Sequence, residues 1–381
     1  MPAENKQHYF IVGGGILQYE FVKTVKQQGF ITHVFDYNPQ CICAKLADFF
    51  HCISIDEKEK ILEIAKQYHA VAIQTNATEM GNISACYVGE KLGLCTNSYQ
   101  TALDTTDKSR MKKIFKKFNI PSAQYAEFTN LSEVDLNNIQ FPVVVKASDR
   151  SAGRGVRKVN NLTEFKEAFV DALKESHNKK VLVEEYLVGP QYSVEMISSH
   201  GIHQLVAITE VTPNNTCYFV SSRHMLPANL SQVNMKEIEN FAIKTLHAFH
   251  VQYGASHIEI KNTHTGIKII ELATRMGGWR DLLVKYALGC NFDELLIEAS
   301  LGREVKPFYT KNLYSVIVFM VNKQNFELYQ KIKKEHPELI TFEDVHYKGL
   351  PEAKTLMESQ GFCCLLFDDK ESAEKILRGG E

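Results

Sequence analysis

One tryptophan and ten prolines occur in 381 residues. No apolar run approaches the roughly 18 residues that a membrane-spanning helix needs, so no membrane partner is expected. Neither sign of charge dominates: 43 Lys and Arg stand against 45 Asp and Glu, a formal net charge of −2. That balance removes the electrostatic footprint of a nucleic-acid or anionic-membrane binder and favours small-molecule substrates. The nine cysteines lack regular spacing. Neither Cys41 with Cys43 nor Cys363 with Cys364 has the interval of a zinc or thioredoxin motif, so they read as small core residues in a reducing compartment. The polar start, Met-Pro-Ala-Glu-Asn-Lys-Gln-His, runs straight into a strand, and no signal peptide is expected. The chain therefore reads as cytoplasmic, without repeats or low-complexity linkers, and long enough for two or three lobes around a cleft.

What is present is an ordered succession of elements. Tyr9-Phe10-Ile11-Val12 is a short apolar strand breaking into Gly13-Gly14-Gly15. A helix at 19–28, a strand ending at Asp36, a helix at 58–68, a strand at 70–74 and a helix at 81–92 follow. This alternation predicts a parallel α/β domain over 1–105. In the helix predicted at 107–118, Met111, Ile114, Phe115 and Phe118 form an inner face, while Lys112, Lys113, Lys116 and Lys117 read as a solvated one. Asn119-Ile120-Pro121 stops it. Strands then come in succession at 143–146, 156–159, 181–185, 192–198, 205–209, 256–261 and 268–274. Helices at 163–174 and 236–250 interrupt them, which predicts an α+β section with a mostly antiparallel sheet over 106–305. A strand at 315–321, a helix and a strand near 362–367 complete a C-terminal α+β lobe over 306–381.

Two glutamates give the sharpest chemical signal. The period of two along Ser256-His257-Ile258-Glu259-Ile260-Lys261 puts His257, Glu259 and Lys261 on one face. In Ile270-Glu271-Leu272-Ala273-Thr274-Arg275, Glu271, Ala273 and Arg275 share a face, with Ile270 and Leu272 pointing away. A three-residue loop His264-Thr265-Gly266 would pair Lys261 with Ile269 and set Glu259 opposite Glu271. Facing like charges are unfavourable, and a hard divalent cation, magnesium rather than zinc, would explain them. The bland alternative is the wet face of a hairpin, against which Arg275 and Gly277-Gly278 add a fixed cation and close backbone approach to an anion. A second signal is Lys146 at a strand end before the loop Ser151-Ala-Gly153-Arg-Gly155. Its N–H groups could fold over phosphate oxygens, or it could be an unliganded hairpin. A third is Glu184-Glu185-Tyr186-Leu187, a strand end that could line a base pocket.

In order and spacing these pieces resemble the ATP-grasp superfamily, over roughly residues 8–303. They include the Asp107-Lys108 helix ending in Asn-Ile-Pro121, Lys146 with its loop, the Glu-Glu-Tyr-Leu hinge and the paired glutamates before Arg275. His224-Met-Leu-Pro227-Ala228 and Glu-Leu-Ala-Thr-Arg-Met-Gly-Gly resemble the branch of L-amino-acid (dipeptide) ligases and carbamoyl-phosphate-synthase-like proteins. The resemblance implies an ATP-grasp fold with an N-terminal Rossmann-like domain. It implies a ligase using ATP and magnesium, or manganese in its place, to join a small carboxylate to an amine through an acyl phosphate. Lys108, Lys146 and the loop of Ser151, Gly153 and Gly155 would hold phosphates. Glu184, Glu185 and Leu187 would face adenine, Gln191 the ribose, and Glu259 and Glu271 the metal. Arg275 would steady the transferred phosphoryl group. Arg223, His224, His257, Gly277, Gly278 and Trp279, with Arg280, are candidates for substrate contact. Two positions depart from the family pattern: Gln191 stands where many relatives have an acid, and Ala273 where many have a metal-binding asparagine.

Three other readings compete. Gly13-x-Gly15 with Asp36 suggests a nicotinamide-dependent oxidoreductase, but Gln18 stands in place of the third glycine. A carboxylase using bicarbonate, or a scaffold that binds ATP without turnover, would share the fold. His247 and His250 read as ordinary helix histidines, and the aromatic-rich C-terminal lobe could support a homodimer.

Overall fold

The structure, a computed structural model, describes residues 6–214, 216–349 and 351–378. The first domain contains β1 (His8–Val12), α1 (Tyr19–Gln27), β2 (Ile31–Asp36), β3 (Phe49–Cys52), α2 (Lys58–Gln67), β4 (Ala72–Gln74) and α3 (Glu79–Leu92). Its four strands are parallel in the order β3-β2-β1-β4. The winding direction reverses between β1 and β4, so the loops leaving their carboxyl ends border the crevice where such sheets take ligands. The glycine loop after β1 is committed internally. Gly14 N–H donates to Asp36 (2.9 Å), Gly15 N–H donates to the Gln18 side chain (3.1 Å), and a Cβ on Gly14 would lie 2.6 Å from Cys41 Sγ. Asp36 and Gln18 thus occupy the room a dinucleotide turn would need. On one face, His33 is linked to His8 (2.8 Å) and His51 (3.0 Å) and stacks on Phe10 and Phe49.

Two helices lead out of this domain, α4 (Tyr99–Asp104) and α5 (Lys108–Lys117), the latter capped by Asp107 accepting from Arg110 N–H. Next come β5 (Tyr125–Phe128), β6 (Val143–Ala147), β7 (Val156–Val159), α6 (Leu162–Glu175) and β8 (Val181–Glu185). They form an antiparallel sheet in the order β5-β8-β6-β7, with Phe165, Ala168, Phe169 and Ala172 of α6 packed beneath it, as their helical spacing predicts. The expected lysine face of α5 is corrected at one position. Lys112 is only 2% exposed, whereas Phe118 is exposed.

The largest sheet has eight strands: β9 (Gln191–Ser199), β10 (Ile202–Pro213), β11 (Ser221–Leu226), β12 (Gly254–Thr263), β13 (Gly266–Ala273), β14 (Tyr314–Phe319), β15 (Ile340–Val345) and β16 (Gly361–Phe367). Their order is β13-β12-β9-β10-β11-β14-β16-β15, so the expected C-terminal lobe adds three strands to the same sheet. Helix α7 (Gln232–Ala248) covers one face, burying Ile238, Ala242 and Leu246 against Val194, Ile258 and Leu272. On the other face lie α8 (Arg280–Leu288) and α9 (Phe292–Ser300), which join the core cluster of the N-terminal domain. Each carries three charged residues among nine, and Arg280 and Asp293 are buried among the apolar ones, so no clean amphipathic stripe announces either helix. Helices α10 (Lys323–Glu335) and α11 (Lys370–Leu377) pack on β14 and β16.

The β12–β13 hairpin differs from expectation in its turn. Thr263 pairs with Gly266, leaving a two-residue loop of His264 and Thr265, and Lys261 faces Lys268 instead of Ile269. A bulge then leaves Ile270 unpaired and brings Glu259 opposite Glu271. The glutamates face each other as expected, through an irregularity that a one-residue insertion creates. Ile269, not Ile270, takes the fully buried place beside Leu272.

Candidate functional site

The cleft lies between the four-stranded sheet and the cleft-facing side of the eight-stranded one. On the first jaw, neighbouring strands β6 and β8 carry Lys146 and Glu184, and α5 brings Lys112. Both ammonium groups reach the same carboxylate oxygen of Glu184, Lys146 at 2.8 Å and Lys112 at 3.1 Å. Burial pushes the Lys112 ammonium down to about 8, with the Glu184 charge opposing it. Burial raises the Glu184 carboxyl, yet the two lysines hold it below the usual range. Glu185, the next residue, points to the other face, where it accepts from Gln124 N–H and pairs with Lys268. Of the three residues expected on the adenine side, Glu184 and Leu187 are buried and Glu185 is exposed. In the loop after β6, Gly153 (φ +74°) and Gly155 (φ +66°) adopt the left-handed conformation that glycine tolerates. Arg154 closes the turn by donating to Ser151 O and Oγ, both at 3.1 Å. Lys108 N–H donates to Ser148 O, which ties this loop to α5. The tip of the β10–β11 hairpin bridges the jaws, where Lys158 N–H donates to Cys217 O (2.8 Å).

On the second jaw, Glu259 accepts from Gln191 Nε2 (3.2 Å) and lies 3.3 Å from His257 Nε2. Gln191, expected at a ribose, thus touches the Glu259 carboxylate. Glu271 pairs with Lys108 (3.0 Å), which also donates to Arg150 O (2.8 Å). Burial lowers the Lys108 ammonium, but the adjacent carboxylates, Glu271 foremost, raise it overall. Among the described residues no three His, Cys, Asp or Glu side chains group as a metal set. Two carboxylates suit magnesium, which keeps waters and phosphate oxygens in its remaining positions, and Ala273 offers no further oxygen.

Beneath this pair is a buried polar frame. Glu195 of β9, fully enclosed, accepts from His257 Nδ1 (2.6 Å) and Gly277 N–H (3.1 Å) and lies 3.3 Å from Arg280 Nε. Arg280 continues to Ser193 Oγ (3.1 Å) and His224 Nδ1 (2.7 Å). Burial opposes charge on His257, yet the Glu195 carboxylate pushes it up to about 9. A Cβ on Gly277 would come within 2.6 Å of His257 Nδ1, so only glycine fits that turn. Arg275 reaches across to the first domain. It donates to Glu79 Oε1 through Nε (3.1 Å) and Nη2, and to Met276 O (2.9 Å).

The structure brings together Lys108, Lys146, Glu184, Gln191, Glu259, Glu271, Arg275, His257 and Gly277. It places others elsewhere. Arg223 follows strand alternation to the opposite face of β11 from His224, lining a separate cavity of about 760 Å³ with Asn325 and Arg378. His224 is a buried partner of Arg280, and Arg280 is itself enclosed. Trp279 (φ +62°) rests its ring on Phe362 of the C-terminal lobe, centroids 4.4 Å apart. Lys112, Glu195 and Glu79 were not singled out from the sequence. Only for Glu195 was there a local signal: it follows Gln191 and Ser193 at the strand period of two.

This arrangement, two antiparallel sheets closing on a cleft with lysines on one jaw and facing carboxylates on the other, defines a class. The model of the ATP-grasp domain family matches residues 139–282. The chain is similar to alanine–anticapsin ligase of Bacillus subtilis, 27% identical over 293 residues, the match covering 66% of this chain and 61% of that protein. It is also similar to 3-methyl-D-ornithine–L-lysine ligase of Methanosarcina acetivorans, 26% identical over 294 residues, with 76% and 72% covered. N5-carboxyaminoimidazole synthetase from Staphylococcus aureus, solved in complex with ADP, shares the fold with a TM-score of 0.80, 17% identity and coverage of 98% and 96%. No helix among the described residues is long and apolar enough to cross a membrane.

Proposed function

We propose that the protein is an ATP-dependent ligase that activates a small carboxylate, an amino acid in the simplest case, as an acyl phosphate and passes it to an amine. The observation that carries this reading is the facing pair Glu259 and Glu271 on one jaw, set against the Lys112–Glu184–Lys146 cluster on the other. Lys112 and Lys146 carry charge for nucleotide phosphates, and the Gly153–Gly155 loop offers backbone N–H groups to them. Glu184 and the backbone of Leu187 border the base. Glu259 and Glu271 would hold magnesium, which would neutralise phosphate charge there. His257 and Gln191 orient Glu259, and Lys108 orients Glu271. Arg275 faces the reacting carboxylate and the phosphoryl group transferred to it. A carboxylate oxygen attacks the terminal phosphorus and ADP leaves; an amine then attacks the acyl carbon and phosphate leaves. The protein contributes position and fixed charge and forms no covalent bond. The names of the similar ligases agree with carbon–nitrogen bond formation.

The test is ADP and phosphate release from ATP with magnesium across paired amino acids, with bicarbonate in separate wells. Release that requires both a carboxylate and an amine is the expected result. Release with bicarbonate alone would replace the ligase reading by a carboxylase.

A further inference from the structure

Strand alternation turns Arg223 away from the cleft, onto the face of the eight-stranded sheet that α10 and α11 cover and where Met225 packs with their core. There it lines the cavity of about 760 Å³, a volume that suits a small-molecule ligand. The guanidinium is half-buried, and no hydrogen bond or ion pair joins it to a described residue. Burial opposes its charge and Glu210 favours it, while Arg378, 74% exposed at the rim, opposes it again. Arginine keeps its charge in such a place, so its N–H donors stand at the cavity without a protein acceptor. Lys331 adds a further cation to the lining, and the two lining acids are engaged elsewhere. Glu352 accepts from Asn214 Nδ2 (3.1 Å), and Glu327 pairs with Lys323 (3.4 Å). The walls are fixed: Asn322 Nδ2, at the cap of α10, donates to Asn214 Oδ1 (2.7 Å), and Ser222 Oγ donates to Thr212 O (3.2 Å). Thr212 pairs with Arg223 and Pro213 with Ser221, which leaves Ser222 as a bulged residue of the kind that re-aims its neighbour. Through the sheet from this cavity, the next residue of β11 is His224, whose Nδ1 lies 2.7 Å from Arg280, and Arg280 Nε lies 3.3 Å from Glu195. One strand thus carries the cavity wall on one face and an end of the buried polar frame on the other.

We propose that this cavity is an effector site: Arg223 takes the phosphate or carboxylate group of a polar small molecule, and its occupancy shifts β11 and the frame behind Glu259, changing nucleotide affinity. An oxyanion supplies the acceptor that the fold withholds from Arg223, and the fork of the guanidinium matches either group. The hydroxyls and amides of Thr212, Ser222, Asn322 and Asn325 in the same lining suit a polar body behind that group.

The experiment is calorimetric titration of the full chain, with and without ADP and magnesium. The probes are ribose 5-phosphate and succinate, which separate the phosphate and carboxylate sources, each against its neutral counterpart, ribose or succinamide. The wild type is expected to bind at least one anion with a Kd of about 1 mM or tighter, and its neutral counterpart at least about tenfold more weakly. Arg223→Gln should weaken the anion by about tenfold or more, and Arg223→Lys by less. Neither variant should lower the melting temperature by more than about 2 °C, because the guanidinium has no protein partner to lose. The bound anion should change ADP affinity by about fivefold or more in the wild type and not in Arg223→Gln. A wild type that binds neither anion would overturn the proposal. So would binding that survives Arg223→Gln unchanged, which would belong to the nucleotide cleft. Binding that depends on Arg223 but leaves ADP affinity unchanged would overturn the effector role. All of these readings are of binding, so a failure of the ligase reading leaves them intact.

Discussion

Two buried glutamates, Glu184 and Glu195, each gather two cationic groups, yet they do so differently. Glu184 offers one oxygen to two lysines from separate elements, α5 and β6. Glu195 also offers one oxygen to both cations, but its other oxygen accepts from Gly277 N–H, and its partners are held again from behind: His257 by Glu259, Arg280 by Ser193 and His224. Lysine is a compact charge on a flexible stem that can turn to a new anion, whereas arginine and imidazole are planar and fixed by several directed bonds. The first cluster is therefore suited to exchange its partner for a ligand, the second to hold still. In the proposed reading the cleft combines charges that move to the nucleotide with a frame that keeps Glu259 and the Gly277-Gly278 turn in place.

The largest effect should follow from the facing carboxylates above the rigid cluster. Glu271→Ala removes half of the facing carboxylate pair and frees Lys108. Turnover should fall by about 1,000-fold or more, the order set by losing a central charge-stabilising group. The melting temperature should stay within about 2 °C, since Glu271 is only partly buried and lies at a ligand surface. Steady-state phosphate release and calorimetry on the same sample would check both, and an active variant would remove the metal pair from the proposal. Glu195→Ala is the converse. It leaves His257 and Arg280 buried without their carboxylate, which should cost about 3–5 kcal/mol of unfolding free energy. Denaturant titration measures this. A loss within error would mean that the second cluster is no more rigid than the first.

The same contrast explains how far the sequence could be read. Alternation along 256–261 and 270–275 marked Glu259 and Glu271, because a strand period leaves no choice about which residues share a face. The bulge at Ile270 carries no such mark, being one extra residue in a ladder whose partner strand is equally regular. Lys112 was illegible for a related reason. It borders the apolar stripe of α5 and has lysine neighbours at 113, 116 and 117. Only the folded chain sets Glu184 of β8 against it. Arg223 and His224 show the limit of strand logic. Alternation says that they face opposite ways, but not which face meets the cleft. Arg275 was legible as a cation near the carboxylates, while its partner Glu79 lies 196 positions away in another domain. The outline of the fold was clear from element order, and α8 and α9 escaped because the buried Arg280 and Asp293 break the apolar face that would have announced a helix.

Proton affinity separates the two clusters by the smallest and most specific margin. Burial lowers the Lys112 ammonium from 10.5 to about 8 despite the Glu184 charge, whereas Arg280, at a guanidinium, stays charged. Above pH 8 the free enzyme should lose the Lys112 charge, so kcat/KM for ATP should fall by up to about tenfold per pH unit. Stability should move the other way. Because the folded-state value lies below that of the unfolded chain, the unfolded chain binds the extra proton between about 8 and 10.5, and stability contributed by this group rises with pH across that window by up to about 1.4 kcal/mol per unit. Lys112→Arg keeps a charge throughout and should flatten the kcat/KM profile. A wild-type profile that is already flat from pH 7 to 9.5 would show that Lys112 does not meet the nucleotide. A fall in kcat/KM that tracks a fall in melting temperature would assign the effect to general alkaline unfolding. Only a loss of ATP use without a matching loss of fold belongs to a lysine poised to change partners.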